Sequence, residues 1–375
     1  MFVDSSFAND LNGCTSSNKI SSLAQTLDTR LKRIQQESKL VAASAGLLCG
    51  DTLIGISAYG ERKKGSGIAV STQDLWHIGS ITKSVTATLI ARLIEQDKLQ
   101  WQTRLAEIFP KEQLHPEAAQ ITIEQLAQHR SGLPANFSFT SVFRKAGEGK
   151  ERIAARRKLV LETLKAKPLT PPGSTFLYSN TGYSTLGVVA EELMGQTWEQ
   201  QIGEQVMSPI TINNYGFGAP KDDTGKLSQP RGHKSMLGFY FSLEDFDNSP
   251  LIGPAGTLHM DLKSLLYYGH EHLKGEQGHS QLLSEANFKQ LHKAELNNYA
   301  SGWIVEHNAE FSSGRQLWHN GSNTAWYALL TIVPDYNAVM AFTSNDSNIE
   351  LAQKQAWDLF YALIQDMDKA AKTEP

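Results

Sequence analysis

Strand-like runs stand at both ends of this 375-residue chain and helical patterns fill its middle, which leaves few folds open. Near the start, apolar runs at 42–49 and 53–59 flank Gly50-Asp51 and read as a β-hairpin. The turn Lys63-Lys64-Gly65-Ser66-Gly67 leads to a predicted third strand at 68–70. From residue 299 the texture returns to strands, at 302–305, 316–319, 325–333 and 339–344. Pro334-Asp335-Tyr336-Asn337 joins the last two as a hairpin.

Helical patterns bracket and separate these runs. A helix at 21–38 puts Leu23, Leu27, Leu31 and Ile34 on one face, and one at 349–370 does the same with Ala356, Phe360, Leu363 and Met367. Between them the chain predicts helices at 80–96, 121–129, 151–167, 183–193 and 261–273. The economical fold is α+β: one antiparallel sheet from both chain ends, flanked by the terminal helices, with a mostly helical region inserted. The implied organisation is a loose tail at 1–20, a sheet domain from 21–75 and 298–375, and a helical domain at 76–297. A cleft between the two domains is the expected place for an active site.

Composition excludes several classes. A net charge of −4 gives no support to nucleic-acid binding. No apolar run approaches the roughly 18–20 residues that a membrane span needs. Cys14 and Cys49 do not make a disulfide framework, and Cys49 in its apolar run reads as a small buried hydrophobe. The first ten residues hold no apolar signal core, so the chain as written reads as cytoplasmic. Leu11-Asn12-Gly13-Cys14 loosely resembles a lipoprotein cleavage site, and removal of an upstream signal would make the protein periplasmic or lipid-anchored.

Three short motifs carry the chemistry. Ser80-Ile81-Thr82-Lys83 opens a predicted helix, where positions i and i+3 share a face and the Lys83 ammonium reaches the Ser80 hydroxyl. The helix start also offers free N–H groups to a developing oxyanion. Tyr178-Ser179-Asn180 supplies a phenol that can shuttle protons and an amide that can hold a substrate amide. His319-Asn320-Gly321-Ser322 lies on or beside a late strand, where Gly321 permits close approach and the Ser322 N–H is free for an oxyanion. Decoys exist for two of these: Ser16-Ser17-Asn18-Lys19 in the polar tail, and His77-Ile78-Gly79 immediately before Ser80.

The order and spacing of the three motifs resemble the active-site-serine β-lactamase and penicillin-binding-protein superfamily. The likeness is closest to its class C β-lactamase-like branch, which also holds D,D-peptidases, D-aminopeptidases and esterases. Further segments resemble that branch: His129-Arg130-Ser131-Gly132-Leu133-Pro134, Pro172-Gly173-Ser174-Thr175-Phe176-Leu177 running into Tyr178, Gly253-Pro254-Ala255-Gly256, and Gly302-Trp303. The resemblance covers residues 40–370 and implies a serine acyl-hydrolase without metal or cofactor. It implies Ser80 as nucleophile, Lys83 and Tyr178 as the proton-handling pair, and Asn180, His319, Gly321 and Ser322 as substrate contacts. The backbone N–H groups of Ser80 and Ser322 would form the oxyanion hole. The partner is then a small-molecule or peptide substrate, and the oligomeric state stays open.

One departure bears on the substrate. Class C β-lactamases usually carry lysine where this chain has His319 and threonine where it has Asn320. A histidine near its ordinary pKa is charged only in part at neutral pH and attracts a penicillin carboxylate less. The alternatives are therefore an esterase or amidase, a D,D-carboxypeptidase or β-lactamase, and a non-catalytic binding protein with the same fold. Other sites fail on pattern. His270 and His272 fall on different helix faces, so with His279 they make no metal frame, and no Gly-x-Ser-x-Gly elbow occurs.

Overall fold

A computed structural model describes residues 17–138, 144–222, 225–236, 239–245, 247–307 and 314–372. The first strands are β1 (Ala42–Cys49) and β2 (Thr52–Gly60), joined by the tight turn at Gly50, whose φ of +53° suits glycine. Five strands fall in the middle of the chain: β3 (Leu75–His77), β4 (Tyr215–Phe217), the pair β5 (Gly232–Met236) and β6 (Phe239–Leu243), and β7 (Leu258–Asp261). The last four are β8 (Ile304–His307), β9 (Arg315–Ser322), β10 (Tyr327–Val333) and β11 (Ala338–Ser344).

The two chain ends build one six-stranded antiparallel sheet, in the order β2-β1-β11-β10-β9-β8. Ala43 pairs with Ser344 and Leu47 with Met340, so the N-terminal hairpin is completed by residues from the far end of the chain. Helices α1 (Ser17–Ser38) and α6 (Ile349–Lys372) cover one face. Their stripes are buried as the sequence predicts: Leu27, Leu31, Ala356, Phe360 and Leu363 have no exposed surface. Burying one such side chain contributes roughly 1.5–3 kcal/mol.

The other long helices are α2 (Thr82–Glu95), α3 (Gly149–Leu164), α4 (Asn180–Met194) and α5 (Leu262–Gly275). Helix α5 packs on the second sheet face, where Gly269 allows Val339 and Leu330 to close in. Helices α2 and α4 pack together beyond it, in a core shared with Trp198, Trp303 and Tyr183.

Several expectations are corrected. Residues 68–70 form no strand, only a bridge from Ala69 to Glu61. Helix α1 begins at Ser17, so Ser17-Asn18-Lys19 is helical rather than part of a tail, while Ser16 and Cys14 lie outside the described residues. The middle of the chain also holds a three-stranded sheet, β3-β7-β4, and the β5–β6 hairpin. Cys49 is buried, and no free cysteine occurs among the described residues. No described helix is long and apolar enough to cross a membrane.

Candidate active site

Ser80 is placed by a turn that only glycine can make. Strand β3 pairs with β7, and the Ile78 N–H donates to the Leu258 carbonyl at 3.0 Å. The chain then turns at Gly79, with φ of +51°, into one 3-10 turn (Gly79–Ile81) that runs into α2. Thr82 closes this turn: its hydroxyl donates to the Gly79 carbonyl at 2.6 Å and accepts from the Leu258 N–H at 3.1 Å.

Strand β9 lies against the same turn, backbone to backbone. A Cβ on Gly79 would stand 2.3 Å from the Ser322 nitrogen, and one on Gly321 would stand 1.9 Å from the Ile78 oxygen and 2.6 Å from the Ser80 nitrogen. Two glycines therefore let the Ser80 and Ser322 N–H groups approach one another beside the Ser80 hydroxyl.

Lys83 has no exposed surface. Its ammonium donates to Ser80 Oγ at 2.9 Å and to the Ala255 carbonyl at 2.6 Å, and lies 4.8 Å above the Tyr178 ring. Ala255 belongs to the short helix Gly253–Gly256, whose segment had no assigned role in the sequence reading. Burial pushes the Lys83 pKa well below its ordinary value. Tyr178 is half-buried, and desolvation raises its pKa while a hydrogen bond to Ser80 opposes that rise. The pair is thus a weakened acid and a weakened base around one hydroxyl.

Asn180 opens α4, but Ser179 is its N-cap, accepting from the Gly182 N–H at 2.9 Å. The Asn180 amide donates to Asn136 Oδ1 at 2.7 Å. His319 is 2 % exposed. Its Nδ1 lies 2.5 Å from the Asn320 carbonyl, and its Nε2 lies 3.1 Å from the Tyr299 hydroxyl. A carbonyl only accepts, so Nδ1 carries the proton and Nε2 accepts from Tyr299. Burial, and then the neighbouring Lys83, lower the His319 pKa to about 3. The ring is neutral at physiological pH, where the sequence suggested partial charge.

A cavity of about 610 Å³ opens over these groups, lined by Ser80, Tyr178, His319, Gly321 and Ser322 together with Phe176, Tyr299 and Trp318. Glu306 is the one acidic residue on its walls, and no lysine or arginine lines it among the described residues. Strand β8 pairs with β9 only at 315–318, so the 319–322 edge of β9 faces this space. Asn180 is not among the lining residues.

Two further residues escaped the sequence reading. Tyr299 bonds His319, and His129 stacks within the same aromatic group, 4.2 Å from the Tyr178 ring and 4.6 Å from Tyr299. His129 adopts φ of +57°, and its Nδ1 accepts the Ser179 N–H at 3.0 Å. It sits in the His129–Pro134 segment that carries the family likeness, which was the only signal available for it. No group of three or more His, Cys, Asp or Glu among the described residues could hold a metal ion.

A mixed α+β fold with a serine and a buried lysine at a sheet-edge cleft places the chain among the β-lactamase-like folds. The chain belongs to the beta-lactamase family, whose family model matches residues 27–363. Penicillin-binding protein 4 of Amycolatopsis lactamdurans is 29 % identical over 158 residues, which span 42 % of this chain and 39 % of that protein. The first curated relatives are thus matched over 39 % to 51 % of their own length. Among solved structures, the D-amino acid amidase from Ochrobactrum anthropi SV3 superposes with a TM-score of 0.75 at 17 % identity, covering 92 % of this chain and 99 % of that one. The beta-lactamase/D-alanine carboxypeptidase of Pseudomonas syringae gives 0.74 at 16 % identity, covering 94 % and 100 %. At such identities these two show the shared fold.

Proposed function

We propose that the protein is a serine acyl-hydrolase that forms an acyl-enzyme on Ser80. The observation that carries this reading is the contact of 2.9 Å from Lys83 Nζ to Ser80 Oγ, made by a lysine whose burial lowers its pKa. As Ser80 Oγ bonds to the substrate carbonyl carbon, its proton passes to Lys83, with Tyr178 hydrogen-bonded to the same oxygen. The carbonyl oxygen becomes an oxyanion and takes hydrogen bonds from the N–H groups of Ser80 and Ser322. Each such donor contributes about 3–4 kcal/mol of barrier lowering. Through Tyr178 the proton then reaches the leaving group as its bond to carbon breaks. Water afterwards attacks the ester and returns Ser80.

The charges around the cavity favour esters and amides without a carboxylate. His319 is neutral, Glu306 is the acidic wall residue, and a substrate carboxylate finds no fixed cation there among the described residues. Small acyl esters and D-amino-acid amides, whose ammonium suits Glu306, fit this better than penicillins. A second reading, a D,D-carboxypeptidase or β-lactamase, draws support from the open 319–322 edge of β9, which can hold a peptide-like backbone.

The test offers p-nitrophenyl butyrate, D-phenylalanine amide and benzylpenicillin to the wild-type chain and to Ser80→Ala, with intact mass followed throughout. Turnover of the ester or amide, falling at least ~10⁴-fold in Ser80→Ala, is the expected result. Equal turnover by Ser80→Ala removes Ser80 as nucleophile. Penicillin consumed faster than the ester or amide moves the assignment to the second reading. A chain inert to all three supports a binding protein.

A further inference from the structure

The histidine that mimics the His-x-Gly motif, His77, is buried with both ring nitrogens engaged. Its Nδ1 accepts the Gly79 N–H at 3.0 Å, so Nδ1 bears no proton and the ring hydrogen is on Nε2. Nε2 faces the Asp247 carboxylate at 3.0 Å and 3.1 Å from its two oxygens. Asp247 Oδ1 also accepts from the Asn323 side-chain amide at 2.9 Å and from the Asn248 N–H at 2.6 Å. Asn248 in turn donates through Nδ2 to the Gly256 carbonyl at 2.9 Å.

These bonds meet at the two backbone donors of the site. His77 holds Gly79, the residue before Ser80, and Asn323 is the residue after Ser322. The third arm ends at Gly256, beside the Ala255 carbonyl that receives Lys83. We infer that Asp247 is a positioning residue which, through His77 and Asn323, clamps together the two sides of the Ser80–Ser322 oxyanion hole. The inference rests on the acyl-hydrolase reading above. An aspartate suits the post because a carboxylate accepts several hydrogen bonds at once, and charge-assisted bonds are roughly twice as strong as neutral ones. Its side chain is 7 % exposed, so water competes little for those lone pairs. Asp247 touches no reacting atom and acts only through the residues it holds.

An oxyanion hole works on the transition state, so loosening it lowers kcat and leaves KM nearly unchanged. Steady-state kinetics of Asp247→Ala on the best ester, with the affinity for phenylboronic acid, test the clamp, since the boronate adduct places an oxygen in the hole. The expected result is a kcat loss of about 30- to 100-fold, below the 10²–10³ of deleting a donor, with KM within about twofold. Boronate affinity falls in parallel. Asp247→Asn keeps an acceptor for His77 Nε2 and recovers about tenfold of the loss. Asn323→Ala, which cuts one arm only, loses about tenfold and serves if Asp247→Ala fails to fold. Unchanged kcat in folded Asp247→Ala, or a loss confined to KM, overturns the clamp while the hydrolase reading stands. A wild-type chain that turns over no ester or amide overturns the hydrolase reading, and the clamp falls with it.

Discussion

Arg156 and Lys83 are the lysine and arginine side chains with no exposed surface among the described residues, and their surroundings are opposite. Arg156, on α3, is paired with Glu191 of α4 and, at 2.8 Å, with Glu199, and it donates to the Pro250 carbonyl at 2.7 Å. Three elements are thus tied to one charge. Lys83 has a hydroxyl and a carbonyl, and its lowered pKa has burial as its cause, with no carboxylate acting on it. A buried charge with partners holds a structure together, whereas one without them gives up its proton. The contrast separates a brace from a base within the same helical region.

The largest expected effect is on Lys83. Lys83→Met should lower kcat for the best ester by about 10³- to 10⁴-fold, the range of a lost general base. Its melting temperature should hold or rise, because an apolar side chain replaces an ammonium that burial disfavours. Differential scanning calorimetry beside the kinetics checks both. A fall of many degrees would put Lys83 in the class of Arg156 and break the comparison.

Arg156→Met should do the reverse. Removing one member of a buried ion pair costs about 3–5 kcal/mol, because the buried Glu191 loses its cation and Glu199 is left with Arg152 alone. Urea unfolding measures this, and kcat per folded molecule should stay within about twofold. Loss of kcat at full stability would mean that Arg156 serves the reaction.

What the sequence revealed follows the same division between local and assembled features. The six-stranded sheet was legible because its hairpins and flanking helices carry their own periodicity, as in Leu23–Ile34 and Ala356–Met367. Strands β3, β4 and β7 were not, since runs of 3 or 4 residues show no alternation and their partners lie far along the chain. In the site, Ser80 and Lys83 were legible from i, i+3 spacing, and Tyr178 and His319 from motif order. Tyr299, His129 and Asp247 gain their roles from contacts across 20 to 170 residues, which no local pattern reports. The charge state of His319 depends on burial, and burial is visible only in the assembled fold.

Titration sharpens the comparison further. The Lys83 pKa lies below that of an unfolded lysine, about 10.4, so between the two values the unfolded chain binds more protons. Stability therefore rises with pH across that window, by at most about 1.4 kcal/mol per unit, and Lys83→Met flattens the rise. The ester kcat/KM climbs with pH through the same folded-state value. His319 acts on the acid side: with a folded value of about 3 and an unfolded value of 6.5, its stability is full above 6.5 and lost as pH falls toward 3. Burial lowers the His129 pKa in the same direction, so it adds to the acid loss. Urea midpoints for wild type, Lys83→Met and His319→Asn from pH 4 to 9.5 resolve the two windows. An alkaline rise that survives Lys83→Met would show that Lys83 is not the titrating group.

The smallest effect expected is at Tyr299, which shows a third way to bury a titratable group. His319 is kept neutral by burial and then by the neighbouring Lys83, while both its ring nitrogens are hydrogen-bonded, and Tyr299 supplies one of those bonds at 3.1 Å. Tyr299→Phe keeps the ring packing against His129 and removes only the hydroxyl, leaving the His319 Nε2 acceptor unmet in a dry place. Such an unmet group costs about 1–3 kcal/mol. The Asn320 carbonyl still fixes the Nδ1 proton, so the ring keeps its tautomer and ester kcat should change by less than about threefold. A larger kcat loss, with KM steady, would mean that Tyr299 itself handles protons beside Lys83 and Tyr178, and the base in this site would then be a set of three groups around Ser80 rather than a pair.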